Sequence, residues 1–305
     1  MRIPWRYRFL QSLINFRDWF IAQVIFLSLK LLRLIPMDSA IKTFERFARW
    51  LGPKLKRHHV ALENLELAFP EKSIEEREKI AIESWAQMAR GLIEYGYLDV
   101  IFDLDEESQD SEHIEIINAE QFLKLRDDDL PAILFTGHLA NFELLPMTAA
   151  KFGLQIKSLF RAPNNKYVAA RIAAARKDVS ENLIASREGA SFQLMSALER
   201  GDHIGILVDQ KFRRGINVPF FGHDAPSNPL LAKLARRYDC PVHGARAVRL
   251  PNGRFRLEIT EELALPRTKD GDIDIRGTTE LVNKVVEDWV REYPEQWLWI
   301  HRRWG

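Results

Sequence analysis

A single cysteine, Cys240, occurs among the 305 residues. No intrachain disulfide can form, and the chain suits a reducing compartment. Cys240 stands in a Tyr-Asp-Cys-Pro turn, where packing rather than nucleophilic chemistry is expected. The sequence also lacks a Gly-x-Ser-x-Gly elbow, a His-Glu-x-x-His helix, a P-loop and a Gly-x-Gly-x-x-Gly turn. Those absences remove the α/β-hydrolase, zinc-hydrolase, P-loop and dinucleotide-binding readings. Internal repeats and low-complexity linkers are missing as well. Near the N-terminus, Trp19 to Leu29 runs only 11 residues without a charge, and Lys30 and Arg33 interrupt its extension to Pro36. A spanning helix needs about 20 apolar residues.

What is present is a chain of ordinary folded composition, 46% hydrophobic and 29% charged. Its net charge of +1 conceals an asymmetry. Residues 1–60 hold 12 Lys/Arg against 3 Asp/Glu, and residues 61–130 hold 6 against 20. A basic, apolar start followed by an acidic stretch suits an anionic membrane surface, and no nucleic-acid motif is present. Phe20, Val24, Leu27, Leu31 and Leu34 share one helical face, while Gln23, Lys30 and Arg33 gather on another. With Arg2, Arg6, Arg8 and Arg17 ahead of it and no cleavage site behind it, this segment is expected to be a membrane anchor rather than a signal peptide. Its N-terminal end is expected on the cytoplasmic side, and both a tilted span and a flat amphipathic helix remain open. The expected division is residues 1–37 as anchor and 38–305 as a catalytic domain, helical over 38–112 and α/β over 113–305.

Within the helical part, residues 38–70 read as a helix followed by a loop. Ser73 and Glu76 form a capping box, and Ala81, Trp85, Met88, Leu92 and Tyr95 share an apolar face behind it. The acidic run from Asp103 to Glu112 reads as solvated. Beyond it, apolar runs at 132–136, 156–160 and 203–208 alternate with helical patterns at 139–152, 167–177 and 189–199. The last two stretches are a hairpin across Pro251-Asn252-Gly253 and a helix over 278–292. This pattern predicts an α/β fold, a mixed central sheet flanked by helices.

The chemistry is expected at Thr136-Gly137-His138-Leu139-Ala140-Asn141-Phe142-Glu143, where a buried strand gives way to a helix. Residues five apart on one helix are about 140° apart. If His138 lies in the loop and Glu143 one turn into the helix, the carboxylate can reach back to the imidazole. A carboxylate on one imidazole nitrogen fixes the tautomer and stabilises the imidazolium formed at the other. Such a pair activates a hydroxyl without a protein nucleophile. His-x4-Glu by itself is more often the spacing of a capped, structural histidine at a strand end.

Further segments point to a family. Gly137 to Glu143, Phe160-Arg161-Ala162-Pro163-Asn164-Asn165, and Asp209-Gln210 with Val218-Pro219-Phe220-Phe221-Gly222 resemble, in order, three blocks of the lipid A late acyltransferases. Arg57 with Asn64-Leu65 and Ala68-Phe69-Pro70, and the ending Pro294 to Trp304, are similar to two more. The resemblance implies a glycerol-phosphate-acyltransferase-like fold. The reaction it implies is transfer of an acyl chain from an acyl carrier protein thioester to a hydroxyl of a lipid A precursor, at the cytoplasmic face of the inner membrane. His138 carries over as general base and Glu143 as its partner; glutamate rather than aspartate there favours the lipid A branch. Arg161, Asn164, Asp209 and Arg57 carry over as substrate-binding candidates, Arg161 and Arg57 for phosphate or an oxyanion. No metal or organic cofactor is implied. Lys166 departs from the apolar residue usual after this block. Other acceptors, such as a glycerophospholipid or glycolipid, and a non-catalytic lipid-binding protein are the competing readings. Arg246 and Arg249 are expected to be exposed hairpin residues, and Arg302 to Trp304 a C-terminal strand with a solvated basic end.

Overall fold

The computed structural model describes residues 5–103, 111–128, 130–160, 165–175, 182–185 and 189–304. The N-terminal third is helical: α1 (Trp5–Leu32), α2 (Met37–Leu51), α3 (Lys56–Ala68), α4 (Ile74–Glu94) and the short α5 (Leu98–Ile101). The single helix expected from residue 38 breaks after Leu51. Pro53 follows in a 3-10 turn, Gly52–Lys54, since proline lacks the amide an α-helix needs. At Gly52 a Cβ would lie 2.4 Å from the Trp85 ring, so the missing side chain lets α2 close on α4. The capping box on α4 is formed: Glu76 N–H donates to Ser73 Oγ (3.2 Å) and Ser73 N–H to Glu76 Oε2 (2.7 Å).

Helix α1 contains a stretch, Ser12–Leu32, long and apolar enough by length and composition to cross a membrane. Its far end is fixed to the body. The Tyr97 hydroxyl donates to the carbonyls of Leu32 (2.6 Å) and Ile35 (2.9 Å), and Arg33 to that of Gly96 (3.0 Å). Lys166, the residue that departs from the family pattern, reaches back to α1 through Asn15 Oδ1 at 2.8 Å.

The α/β part is built on a seven-stranded sheet of order β1-β9-β8-β2-β5-β3-β4. Its strands are β1 (Ile114–Ile117), β2 (Ile133–Thr136), β3 (Ile156–Phe160), β4 (Leu183–Ala185), β5 (His203–Leu207), β8 (Val242–Arg249) and β9 (Phe255–Ile259). Every neighbouring pair is parallel except the β8–β9 hairpin. Helices α6 (Ala119–Asp127), α7 (Leu144–Lys151), α8 (Lys166–Ala175), α9 (Ala190–Glu199), α10 (Leu230–Tyr238) and α11 (Ile275–Glu292) accompany it. This is the mixed, flanked sheet the alternation predicts. The continuous apolar run of β2 follows from its central place, since a strand covered on both faces has no polar side to show.

Five local features depart from the sequence reading, each for a tertiary reason. Helix α7 begins at Leu144 rather than 139, because Leu139 is held in a bridge to Trp297 and residues 140–143 form a turn. A second hairpin, β6 (Ile216–Phe220) with β7 (His223–Ser227), was not anticipated; its turn at Phe221-Gly222 takes positive φ at both residues. Arg246 and Arg249 are buried, not exposed. All eight residues of β8 are covered, so each guanidinium must find a carboxylate: Glu258 and Glu292 for Arg246, Glu94 for Arg249. Arg303 is 0% exposed rather than solvated. It donates to Ser227 Oγ (2.6 Å) and the Pro226 carbonyl (2.9 Å), with its cation 5.0 Å from the Phe220 ring. The C-terminal segment is a run of turns rather than a strand, with one antiparallel bridge from Trp297 to Leu139. Its indoles pack with Phe69, Phe220 and Phe221 into one aromatic cluster. Of the acidic run from Asp103 to Glu112, residues 104–110 lie outside the described residues.

Candidate active site

Strands β2 and β5 are parallel neighbours in a register that sets Thr136 beside Leu207. Two residues further on, each chain leaves the sheet at its carboxyl end, and the residues reached are His138 and Asp209. The register brings their side chains together. The His138 Nδ1 lies 2.7 Å from Asp209 Oδ1, and the His138 backbone N–H donates to Oδ2, also at 2.7 Å. Gly137 makes the approach possible: a Cβ there would stand 3.2 Å from Asp209 Oδ2 and 2.8 Å from Leu139 Cδ1. Beyond it the chain turns through Ala140, which takes a left-handed φ of 45°. That conformation is unfavourable for a residue with a Cβ and is held by the surroundings. The Ala140 N–H donates to the Gln296 carbonyl (3.0 Å), and Leu139 bridges to Trp297.

Asp209 is buried, and a third donor completes its shell. The Trp297 indole N–H reaches Oδ2 at 2.8 Å. Burial alone would raise the carboxyl's pKa, but His138, its amide and the Trp297 indole outweigh it and hold Asp209 at about 2. The same pairing works in the opposite direction on His138. Burial pushes the imidazole down, the charge and hydrogen bond of Asp209 push it up, and Glu143 adds a further upward pull; the net direction is up from 6.5. Because ionised Asp209 only accepts, the neutral imidazole carries its proton on Nδ1 and leaves the Nε2 lone pair available. The amide of Gln210 stands 3.1 Å from that Nε2.

Glu143 caps the entrance to α7 and lines the same groove as His138. His138 therefore lies before the helix, as the sequence places it, whereas Glu143 immediately precedes the first turn instead of lying one turn inside. The carboxylate hydrogen-bonded to the ring at Nδ1, however, is Asp209. Sequence spacing cannot find this partner, which lies 71 residues away in the chain and is joined only through sheet pairing. Arg57 lies at the edge of the same region, its Nη1 donating to the Ile300 carbonyl at 3.4 Å. Arg161 and Asn164 lie outside the described residues.

His301 and Trp297 were not singled out for the site, yet both join it. The His301 Nε2 accepts the Lys211 N–H at 3.1 Å. Partial burial and the neighbouring cations outweigh Asp209 and lower the His301 pKa, which keeps that nitrogen an acceptor.

The groove that ends at His138 has a volume of about 700 Å³ and walls that are almost wholly apolar. Phe44, Phe47 and Leu51 come from α2, and Trp85, Met88 and Leu92 from α4. The face of α4 that reads as core in the sequence is thus a wall of this groove, with Leu92 71% exposed. A smaller cavity of about 110 Å³ lies against the sheet under α7, lined by Leu134, Ile156, Gly205 and Met147, and it also reaches Glu143. The polar corner where the groove closes is held by a buried ion network. Glu94 accepts from both Arg249 (Nη2–Oε2 2.7 Å) and Arg90 (Nε–Oε1 2.8 Å) and from Asn141 Nδ2 (3.3 Å) in the His138 turn. Asp103, Glu112 and His113 bring carboxylate and imidazole atoms within 4.8 Å of one another, but none of the three lines the groove. With a hydroxyl in place of the Gln210 amide at Nε2, this base can take a proton from a hydroxyl carried on a hydrocarbon chain lying in the apolar groove.

Residues 6–305 match the family model described as bacterial lipid A biosynthesis acyltransferase. The lipid A biosynthesis lauroyltransferase of Escherichia coli (strain K12) is 25% identical over 261 residues, 81% of this chain and 79% of that protein. The palmitoleoyltransferase of the same strain is 26% identical over 266 residues, 85% and 82% of the two chains. A lipid A biosynthesis acyltransferase of Haemophilus influenzae is 22% identical over 314 residues, 98% and 92%.

Proposed function

The chain belongs to the bacterial lipid A biosynthesis acyltransferases, and on that premise we propose that it transfers a fatty acyl chain from an acyl carrier protein thioester to a free hydroxyl of a lipid A precursor. One observation carries the mechanism. His138 is held through Nδ1 by Asp209, which leaves Nε2 as the available base at the end of an apolar groove. The acceptor hydroxyl gives its proton to Nε2 as its oxygen attacks the thioester carbonyl. The carbon–sulfur bond then breaks, and the imidazolium returns that proton to the departing thiolate. Asp209 stays ionised throughout, orienting the ring and balancing the imidazolium. Glu143 adds a second negative charge beside the imidazolium. The exposed guanidinium of Arg57 takes an acceptor phosphate, as does Arg161; Asn164 contacts the sugar.

The anchor is residues 1–37 and the acyltransferase domain residues 38–305. Held by α1 and its basic start at the cytoplasmic face of the inner membrane, without the body crossing it, the groove meets its acceptor on that side. The lauroyl- and palmitoleoyltransferase relatives act with different chains, so the donor of this enzyme is to be found by offering several. Mass spectrometry of a tetraacylated, sugar-capped lipid A precursor, incubated with enzyme and carrier proteins of several chain lengths, tests the reading. A single acyl mass gain that His138→Ala loses is the expected result. Full turnover by that variant would remove the mechanism, and no gain with any donor would move the acceptor to another lipid.

A further inference from the structure

Among the described residues, the outer half of α2 is left uncovered. Its inner residues Ala40 and Ile41 are buried, and α2 packs closely on α4. Phe44, Phe47, Trp50 and Leu51 occupy an arc of about 120° at the helical repeat. Of these, Phe47 is 53% and Trp50 59% exposed. Exposed large apolar residues grouped in this way mark an interaction surface. The rings of Phe47 and Trp50 are 5.7 Å apart, and Lys54 Nζ stands 3.5 Å above the Trp50 ring. Lys42 and Arg46 flank the arc and are exposed, whereas Glu45 on the other side is paired with Arg49 and Arg90. Aromatic rings with cations beside them suit the boundary between lipid headgroups and acyl chains. They suit an acidic protein surface less well, because the aromatic area would remain unburied there.

Two further observations choose the occupant. The end of α1 is tied to the body by Tyr97 and Arg33, and only residues 33–36 separate it from α2. A bilayer holding α1 must therefore pass close to the start of α2. The same α2 residues that point outward also turn inward along the groove: Phe44 and Phe47 line it, and the wall continues through Leu51 and Trp85 to His138. The apolar path from outside to base is unbroken.

We propose that the Phe44–Phe47–Trp50 face of α2 lies in the headgroup boundary of an anionic bilayer, so that the groove opens sideways into lipid and a chain-bearing acceptor enters from the membrane. This rests on the lipid-acyltransferase reading for what enters, but not for where α2 lies. The test is position-specific, because α1 by itself can bring the chain to vesicles. Cysteines are introduced one at a time at Phe47, at Trp50 and at the exposed control Asp270, in the full chain, and each is labelled with a nitroxide. Cys240 is buried and its thiol is pushed up to about 11, so it does not compete for the label. On vesicles of phosphatidylethanolamine and phosphatidylglycerol, oxygen collisions should rise and nickel-complex collisions fall at 47 and 50, with no change at 270. Removing phosphatidylglycerol should move both labels back towards water. Labels at 47 and 50 that remain water-accessible on bound protein would overturn the proposal. So would labels shielded by acidic carrier protein in the absence of vesicles. Neither readout uses turnover. Lipid-buried labels on a chain without acyl transfer would leave this surface standing and remove the reading of the site, and water-exposed labels on an active enzyme would do the reverse.

Discussion

Two buried carboxylates, Glu94 and Asp209, lie on either side of the His138 turn, and they differ in what they are paired with. Glu94 sits between Arg249 and Arg90. Burial would raise its pKa, but the two guanidiniums win and it is lowered. Its partners never give up their protons in water, so this pair only holds parts together. Asp209 has an imidazole as its partner, which can gain and lose a proton, and its third bond comes from an uncharged indole. The arrangement therefore keeps a negative charge in place while the proton beside it comes and goes. Equal burial gives a strut in one case and a proton-handling pair in the other, and the partner's pKa decides which.

Exchanging each carboxylate for its amide should separate the two roles. Asp209→Asn should cost the most, with turnover falling on the order of 10³–10⁴-fold, because an amide holds the wrong tautomer and cannot balance the imidazolium. Acyl transfer assays alongside circular dichroism would check this, and a variant within tenfold of the parent would break the comparison. Glu94→Gln should instead lose stability, by about 3–5 kcal/mol, since Arg249 is left buried without a counter-charge. Urea unfolding measures that loss. The surviving folded fraction should keep the parent's pH profile, and a displaced acid limb would show that Glu94 also tunes the base.

Smaller changes sharpen the contrast. Trp297→Phe keeps the ring among Phe220, Trp299 and Trp304 but removes a hydrogen bond to a charged group, a contact worth about 1.5–3 kcal/mol. About tenfold slower turnover is expected, with the acid limb of kcat/KM moved, which a loss of packing alone would not do. In the parent that limb should lie above pH 6.5, because His138 is raised from that value and only the neutral imidazole is a base. Asp209→Asn should bring it down.

The smallest effect is on stability. A raised histidine contributes fully below 6.5, and the contribution is lost as pH rises through its folded value. Glu94, being lowered, contributes above 4.5 and loses its contribution only on the acid side. Taking the parent from pH 6 to 9 should therefore cost it stability relative to His138→Ala, because the other shifted groups, His203 and His301 among them, are present in both proteins. Thermal melts of both proteins across that range would decide it.

Much of this corner is legible in the residues. The apolar run into Thr136 and Gly137 as a turn follow from local pattern; the start of α7 at Leu144, with Glu143 just before it, did not follow. The resemblance to a family supplied Asp209 as a candidate. Its hydrogen-bonding role at Nδ1 did not follow. His-x4-Glu suggests a partner five residues away, while the observed one depends on which strand lies beside β2. The buried arginines failed for a related reason: Arg246, Arg249 and Arg303 look solvated in sequence because their carboxylate and hydroxyl partners lie elsewhere in the chain. The face of Trp85, Met88 and Leu92 has the periodicity of a core helix, and periodicity reports that a face is apolar without saying what covers it.

The sequence by itself determined the elements whose causes are local: the capped α4, the alternation that makes an α/β sheet, and an apolar N-terminal helix flanked by basic residues. The tertiary structure alone decided the pairings. The parallel β2–β5 register puts Asp209 on His138, the C-terminal turn brings the Trp297 indole to Asp209, and the closeness of α2 to α4 makes two apolar faces into a groove. Helix propensity, caps and turns act over a few residues, and neighbouring side chains carry their signal. Strand order and helix packing join residues far apart in the chain, and their energy exists only after the loops between them have closed.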